Sequence, residues 1–128
     1  MVDKPKMFTL EEARRALPLV RQIAADLQEA VNSLTKLPGG TSLLYGASPL
    51  DELPSALQDQ ARICKERVDA LSEEMADIGV ELKGFQPVLV DFRSRRDEDI
   101  VYLCWAEGEE DIHFWHDLAS GYRGRQPL

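Results

Sequence analysis

The two histidines of this 128-residue chain, His113 and His116, stand three apart near its end, downstream of Cys104 and upstream of Arg123 and Arg125. On a helix, two imidazoles at that spacing can share one metal ion. On a strand they point to opposite faces, and one ion takes both only if the strand ends between them. Asp91, Cys104, Glu107, Glu109 and Asp117 are the co-ligands the chain offers, but they come from separate segments without the dense spacing of zinc or iron motifs. The sequence therefore assigns no metal site, with His113 and His116 as weak candidates, and it implies no cofactor.

Cys104 is the other reactive side chain. A nucleophilic thiolate needs a nearby cation or a helix N-terminus. Cys104 instead lies between Leu103 and Trp105 in a strand-like run, which predicts a buried, inert thiol. No catalytic residue is assigned. The Gly121-Tyr122-Arg123-Gly124-Arg125 segment offers glycines for close approach and arginines that can grip an anion with two donors. The competing role for the arginines is to staple the tail by pairing with Glu107, Glu109 or Glu110. If the chain binds a small ligand, the residues to test are His116, Tyr122, Arg123 and Arg125, where the last strand meets the tail. Trp105, Trp115 and Tyr122 either line a pocket for a planar ligand or bridge sheet and helices.

These residues need a scaffold, and the first two thirds of the chain supply helices. Thr9 with Glu12 reads as a capping box, with Phe8 stapled against Ala13. Apolar residues then recur at Leu10, Ala13, Leu17, Val20, Ala24, Leu27, Val31 and Leu34, with spacings alternating three and four. A second stripe, Ala16, Ile23 and Ala30, widens the face to meet more than one neighbour. Pro18 should bend the helix near its second turn. After Pro38-Gly39-Gly40 a second helix is expected from Ser48, or from near Asp51 with Pro54 in its first turn. Its seam runs Leu50, Leu53, Leu57, Ala61, Cys64, Val68, Leu71, Met75, Ile78 and Leu82, with Gly79 as a C-cap candidate. Both helices should be about 28 residues and pack antiparallel.

Beyond Gly84 the period changes to that of strands. Val88–Phe92, Ile100–Trp105 and Ile112–His116 read as three strands of an antiparallel meander, with a charged turn over Ser94–Asp99. In the last strand, Ile112, Phe114 and His116 share one face, and His113 and Trp115 the other. The tail from Gly121 to Gly124 is expected to be irregular. The fold class is thus α+β: a long antiparallel, coiled-coil-like two-helix hairpin (about 9–82), then a small three-stranded β-meander and tail (about 85–128), in a single domain.

Composition limits the partners. A net charge of −8 disfavours binding to phosphate backbones, so no nucleic acid is expected. No apolar run is long enough to cross a bilayer, and Met1–Met7 lacks the apolar stretch of a signal peptide. A cytoplasmic setting with reduced Cys64 and Cys104 is the expectation. The Ala16, Ile23 and Ala30 stripe needs a cover, which predicts a homodimer through the helices.

The runs Val90-Asp91-Phe92, Val101 to Glu109, Ile112 to His116 and Gly121 to Leu128 resemble a bacterial family of uncharacterised proteins, domain-of-unknown-function family 2203. Phe8 to Val20 resembles that family's opening helix, including the Leu17-Pro18 pair. The chain departs from the pattern at Val88-Leu89, where a glycine–leucine pair is usual, and in its turn at Arg95–Asp99, which lacks the usual glycine. The resemblance implies no activity, because the family has none assigned. The sequence reading is a non-enzymatic, oligomeric interaction or scaffold protein. The alternative is a small anionic ligand- or metal-binding protein, or an enzyme, with its site at the end of the last strand and the tail.

Overall fold

The first long helix, α1 (Leu10–Thr35), starts at the capping box. Thr9 Oγ1 accepts from the Glu12 N–H at 3.0 Å, and the Glu12 carboxylate accepts from the Thr9 N–H at 2.9 Å. Two of the N–H groups that every helix start leaves unpaired are thereby satisfied. Phe8 lies edge-on to Phe92, with ring centroids 5.3 Å apart, and its N–H donates to the Arg93 carbonyl at 2.7 Å. The helix therefore begins anchored to the sheet. It runs unbroken through Pro18. This computed structural model describes residues 5–128. The first four residues of the stretch read above for a leader lie outside the described residues.

A short helix, α2 (Gly40–Leu44), and a 3-10 turn at Leu50–Glu52 connect to α3 (Ser55–Ile78). The second long helix thus starts later than either Ser48 or Asp51. Pro54 immediately precedes it and its extended backbone holds the entry. Leu53 belongs to the connection but is still buried. Gly79 closes α3 with φ 99°, a left-handed conformation that glycine adopts without steric penalty. Arg67 reaches Glu29 at mid-helix, and Ile78 at the end of α3 lies beside Ala16 near the start of α1. The two helices are therefore antiparallel.

The helices are buried unequally. α1 is in contact with both α3 and the sheet, and nine of its residues are buried. Ile23 and Ala30 are among them, so the second stripe is covered by the chain itself and by itself requires no partner. α3 buries only Ala61, Val68 and Met75, seven residues apart. Among the described residues, no helix is long and apolar enough to cross a membrane.

The sheet has five antiparallel strands in chain order, not three: β1 (Glu81–Phe85), β2 (Val88–Arg96), β3 (Asp99–Ala106), β4 (Phe114–Asp117) and β5 (Gln126–Pro127). β1 takes up residues that the apolar period assigns to the end of the helix, Leu82 included. The expected charged turn shrinks to Asp97-Glu98, because Arg96 pairs with Asp99. Asp97 takes φ 55° there, a conformation that aspartate tolerates better than most residues, so the turn closes without glycine. The tail is ordered: Tyr122–Gly124 form a 3-10 turn and β5 pairs with β4. Val88, Val90, Phe92, Leu103 and Trp105 share one core with the helices.

Candidate functional site

The register of the three central strands sorts their side chains onto two faces. Asp91 pairs with Cys104, Arg93 with Tyr102, Tyr102 with His116, and Cys104 with Phe114. These residues occupy the face turned away from the helices. An apolar core covers the helical face. The outer face instead carries a carboxyl, a thiol and an imidazole, each at most 3% exposed.

His116 is fixed from both sides. Its Nδ1 is 2.7 Å from the Asp117 carbonyl oxygen, and its Nε2 is 3.1 Å from both carboxylate oxygens of Asp91. A carbonyl can only accept, so Nδ1 carries a hydrogen and donates it. Nε2 therefore faces Asp91 across one shared proton, carried by either the imidazole or the acid. Burial pushes the Asp91 carboxyl above its usual range, and the neighbouring His116 offsets only part of that push. Burial and the adjacent Asp91 push the Cys104 thiol up to about 12. The thiol is therefore protonated at neutral pH and is a poor nucleophile. Asp91, Cys104 and His116 each offer one ligand atom, and these atoms lie within 4.8 Å of one another.

The tail forms the roof. The Asp117 carboxylate accepts from the Ala119 N–H at 3.0 Å and the Ser120 N–H at 2.6 Å, which turns the chain back over the sheet. Gly121 continues the turn at φ 64° and ψ −161°, a region essentially restricted to glycine. Between roof and sheet lies a cavity of about 280 Å³, floored by Asp91, Cys104 and His116 and bordered by Lys83, Tyr102 and Tyr122. At its mouth the Tyr102 hydroxyl donates to Glu81 and accepts from Arg93, both at 2.8 Å. Lys83 Nζ is 3.2 Å from Glu81. Burial raises the Glu81 carboxyl, but these donors and cations outweigh it and hold the group below its usual range. A larger cavity, about 390 Å³, lies at the start of α1 beside Phe8, Leu103 and Trp115. No buried titratable group lines it. The smaller cavity is the better candidate, because perturbed ionisable groups converge there.

The structure separates the residues singled out in the sequence. His116 and Tyr122 line the cavity. Arg125 does not: Nη2 reaches Glu109 at 2.6 Å and the Cys104 carbonyl at 3.2 Å, and its guanidinium covers the Phe114 ring at 4.1 Å. These contacts tie the tail to the sheet and include one of the acidic partners, Glu109, that the competing role named. Arg123 is exposed and makes no ion pair among the described residues. His113 precedes β4, is exposed and sits 6.5 Å edge-on to Phe114, so the two histidines do not converge. Ile112 also precedes the strand and is buried in the core rather than beside His116. Trp105 is fully buried and donates to the Glu109 carbonyl; Trp115 is half-buried beneath Arg96. Both cysteines are free.

Asp91 and Lys83 are what the sequence reading left in the background. Asp91 had a usable signal: it is the lone charge within the apolar run Val88–Phe92, and a carboxylate in a buried strand needs a partner. Lys83 had none, because only the unpredicted β1 brings it to the cavity.

Comparison with known proteins agrees with the extent of this fold. The model of a family described as an uncharacterized conserved protein, DUF2203, matches residues 6–128. No curated protein and no solved structure matches the chain. The chain belongs to the DUF2203 family.

Proposed function

We propose that this DUF2203 member is a binding protein for a small ligand held between the outer face of the sheet and the C-terminal tail. The observation that carries this reading is the convergence of Asp91, Cys104 and His116 at the floor of the roofed cavity. Burying polar groups costs about 1–3 kcal/mol each wherever a partner is missing, and here three of them are gathered on one wall of a cavity rather than replaced by apolar residues. Binding is favoured over nucleophilic turnover because the Cys104 thiol is buried and, in the unliganded pocket, protonated. A reducing cytoplasmic setting keeps that thiol free. The test is a thermal-shift screen of metabolites and ions against the wild type and Tyr122→Ala. Tyr122 is 48% exposed at the rim, so its removal leaves the core intact. A ligand that raises Tm in the wild type and much less in the variant supports the reading. Hits that shift both proteins equally count against it.

Self-assembly as a scaffold is the second reading. Leu57, Cys64, Leu71 and Ile78 form a half-buried line along α3 at seven-residue spacing, and Ile63 nearby is 61% exposed. A second copy laid along this line would make a homodimer through the helices. Light scattering discriminates: a mass of one chain, 14.4 kDa, at micromolar concentration removes this reading, and twice that mass supports it.

A further inference from the structure

We infer that Asp91, Cys104 and His116 bind one divalent transition-metal ion of the zinc class, with the roofed cavity at its open coordination position. This inference rests on the pocket reading and names the pocket's ligand.

Donor type is the first argument. A thiol sulfur, an imidazole nitrogen and a carboxylate oxygen form a mixed set that suits zinc or cobalt, whereas calcium and magnesium take oxygen. The second argument is distance. Standard bond lengths and tetrahedral angles separate a nitrogen–oxygen ligand pair by about 3.4 Å, and a pair including sulfur by about 3.6 Å. His116 Nε2 and the Asp91 oxygens are already 3.1 Å apart, and the whole set spans no more than 4.8 Å. The widest separation thus exceeds ligand spacing by no more than about 1.2 Å, on three strands held in register by hydrogen bonds.

Orientation is the third argument. Metal-bound histidines almost always donate their other ring N–H to a carbonyl or carboxylate, which fixes the tautomer and aims the ligating nitrogen. His116 has that arrangement without a metal: Nδ1–H is spent on the Asp117 carbonyl, and Nε2 points at Asp91. Three protein donors leave one tetrahedral position, as in exchangeable sites that keep a water. The cavity borders all three residues and supplies room for that fourth ligand.

The proton count balances. The ion takes the place of the proton between Nε2 and Asp91 and of the proton on Cys104 Sγ. Binding thus releases one proton from the imidazole–carboxylate pair and one from the thiol, leaving a neutral imidazole, a carboxylate and a thiolate around the dication. Nothing is oxidised or reduced.

The experiment is a Co²⁺ titration of the full chain, purified with chelator and then freed of it, monitored in the near-ultraviolet and visible. The expected result is saturation at one ion per chain, with a sulfur-to-cobalt charge-transfer band and release of protons to a pH indicator. Cys104→Ser should abolish the band. Cys64→Ser should keep it, which assigns the sulfur, because the chain has only two cysteines. His116→Gln should weaken Co²⁺ binding more than tenfold, and circular dichroism of each variant reports whether it is folded. Co²⁺ bound weakly with no thiolate band, or a band that follows Cys64, overturns the inference. If the thermal-shift screen meanwhile yields an organic ligand lost in Tyr122→Ala, the pocket reading stands and only the metal falls. If Co²⁺ gives no band and no ligand depends on Tyr122, both fall.

Discussion

The centres of both faces of the sheet are hidden from water, but by different means. On the helical face, Val88, Val90, Phe92 and Trp105 are fully buried under α1 and α3, with apolar surface meeting apolar surface. On the outer face, Asp91, Cys104 and His116 are buried to the same degree beneath a tail of about a dozen residues with little apolar bulk. The first face draws its stability from area removed from water, which is tolerant of detail. The second depends on each polar group finding its partner, and one missing partner is expensive. Burial alone therefore does not distinguish a core from a site; the chemistry of what is buried does.

Substitutions can test this contrast, and the largest effect is expected on the helical face. Phe92→Ala removes a fully buried ring that packs on Phe8 and should lower the unfolding free energy by about 3–5 kcal/mol, read from a guanidinium midpoint. A loss under about 1 kcal/mol would mean that the two faces are not built differently. On the outer face the informative result is non-additivity, measured with chelator present. His116→Leu alone should cost about 3 kcal/mol, because it strands the Asp91 carboxyl. Asp91→Leu added to it should restore most of the loss, since an apolar pair needs no partner. If the double variant is as unstable as the sum of its parts, the polar partnership is not what holds this face.

The tail comes next. Arg125→Ala deletes the contacts to Glu109, the Cys104 carbonyl and the Phe114 ring, and should cost about 2 kcal/mol, whereas Arg123→Ala should stay within about 0.5 kcal/mol. Equal effects at the two arginines would contradict the staple. The smallest signal is expected from Cys104 itself. With Ellman's reagent at neutral pH, half-buried Cys64 should react well before Cys104, whose thiol is pushed up to about 12 and covered. Native labelling at Cys104 that keeps pace with Cys64 would show that the roof opens freely.

Local signals account for what was legible in the sequence. Thr9, Glu12 and the apolar line from Leu10 to Leu34 placed α1 almost to the residue, since caps and periodicity act within a few positions. Glu81–Phe85 contains no β-branched residue and includes Gly84, so nothing local marks β1; pairing with β2 makes it a strand. The site divides in the same way. His116 and Tyr122 stand out by type and position. The partnership of His116 with Asp91 spans 25 residues and exists only because β3 sets the register between them. Arg125 had two competing roles in the sequence, and the contacts it makes to Glu109 and the Cys104 carbonyl are those of the tail staple.

The two-residue strand β5 also has a consequence for how the protein behaves at high concentration. A sheet's outermost strand is a template on which other chains can grow. Without β5, that position would fall to β4, Phe114-Trp115-His116-Asp117, a short run with two large aromatics. β5 covers it and ends in Pro127, which has no N–H to offer an incoming strand. At the opposite border, β1 breaks its pairing with an irregularity between Leu82 and Gly84 and presents Lys83. Both margins of the sheet are thus poor templates for an incoming strand, and the tail that roofs the cavity also supplies one of them.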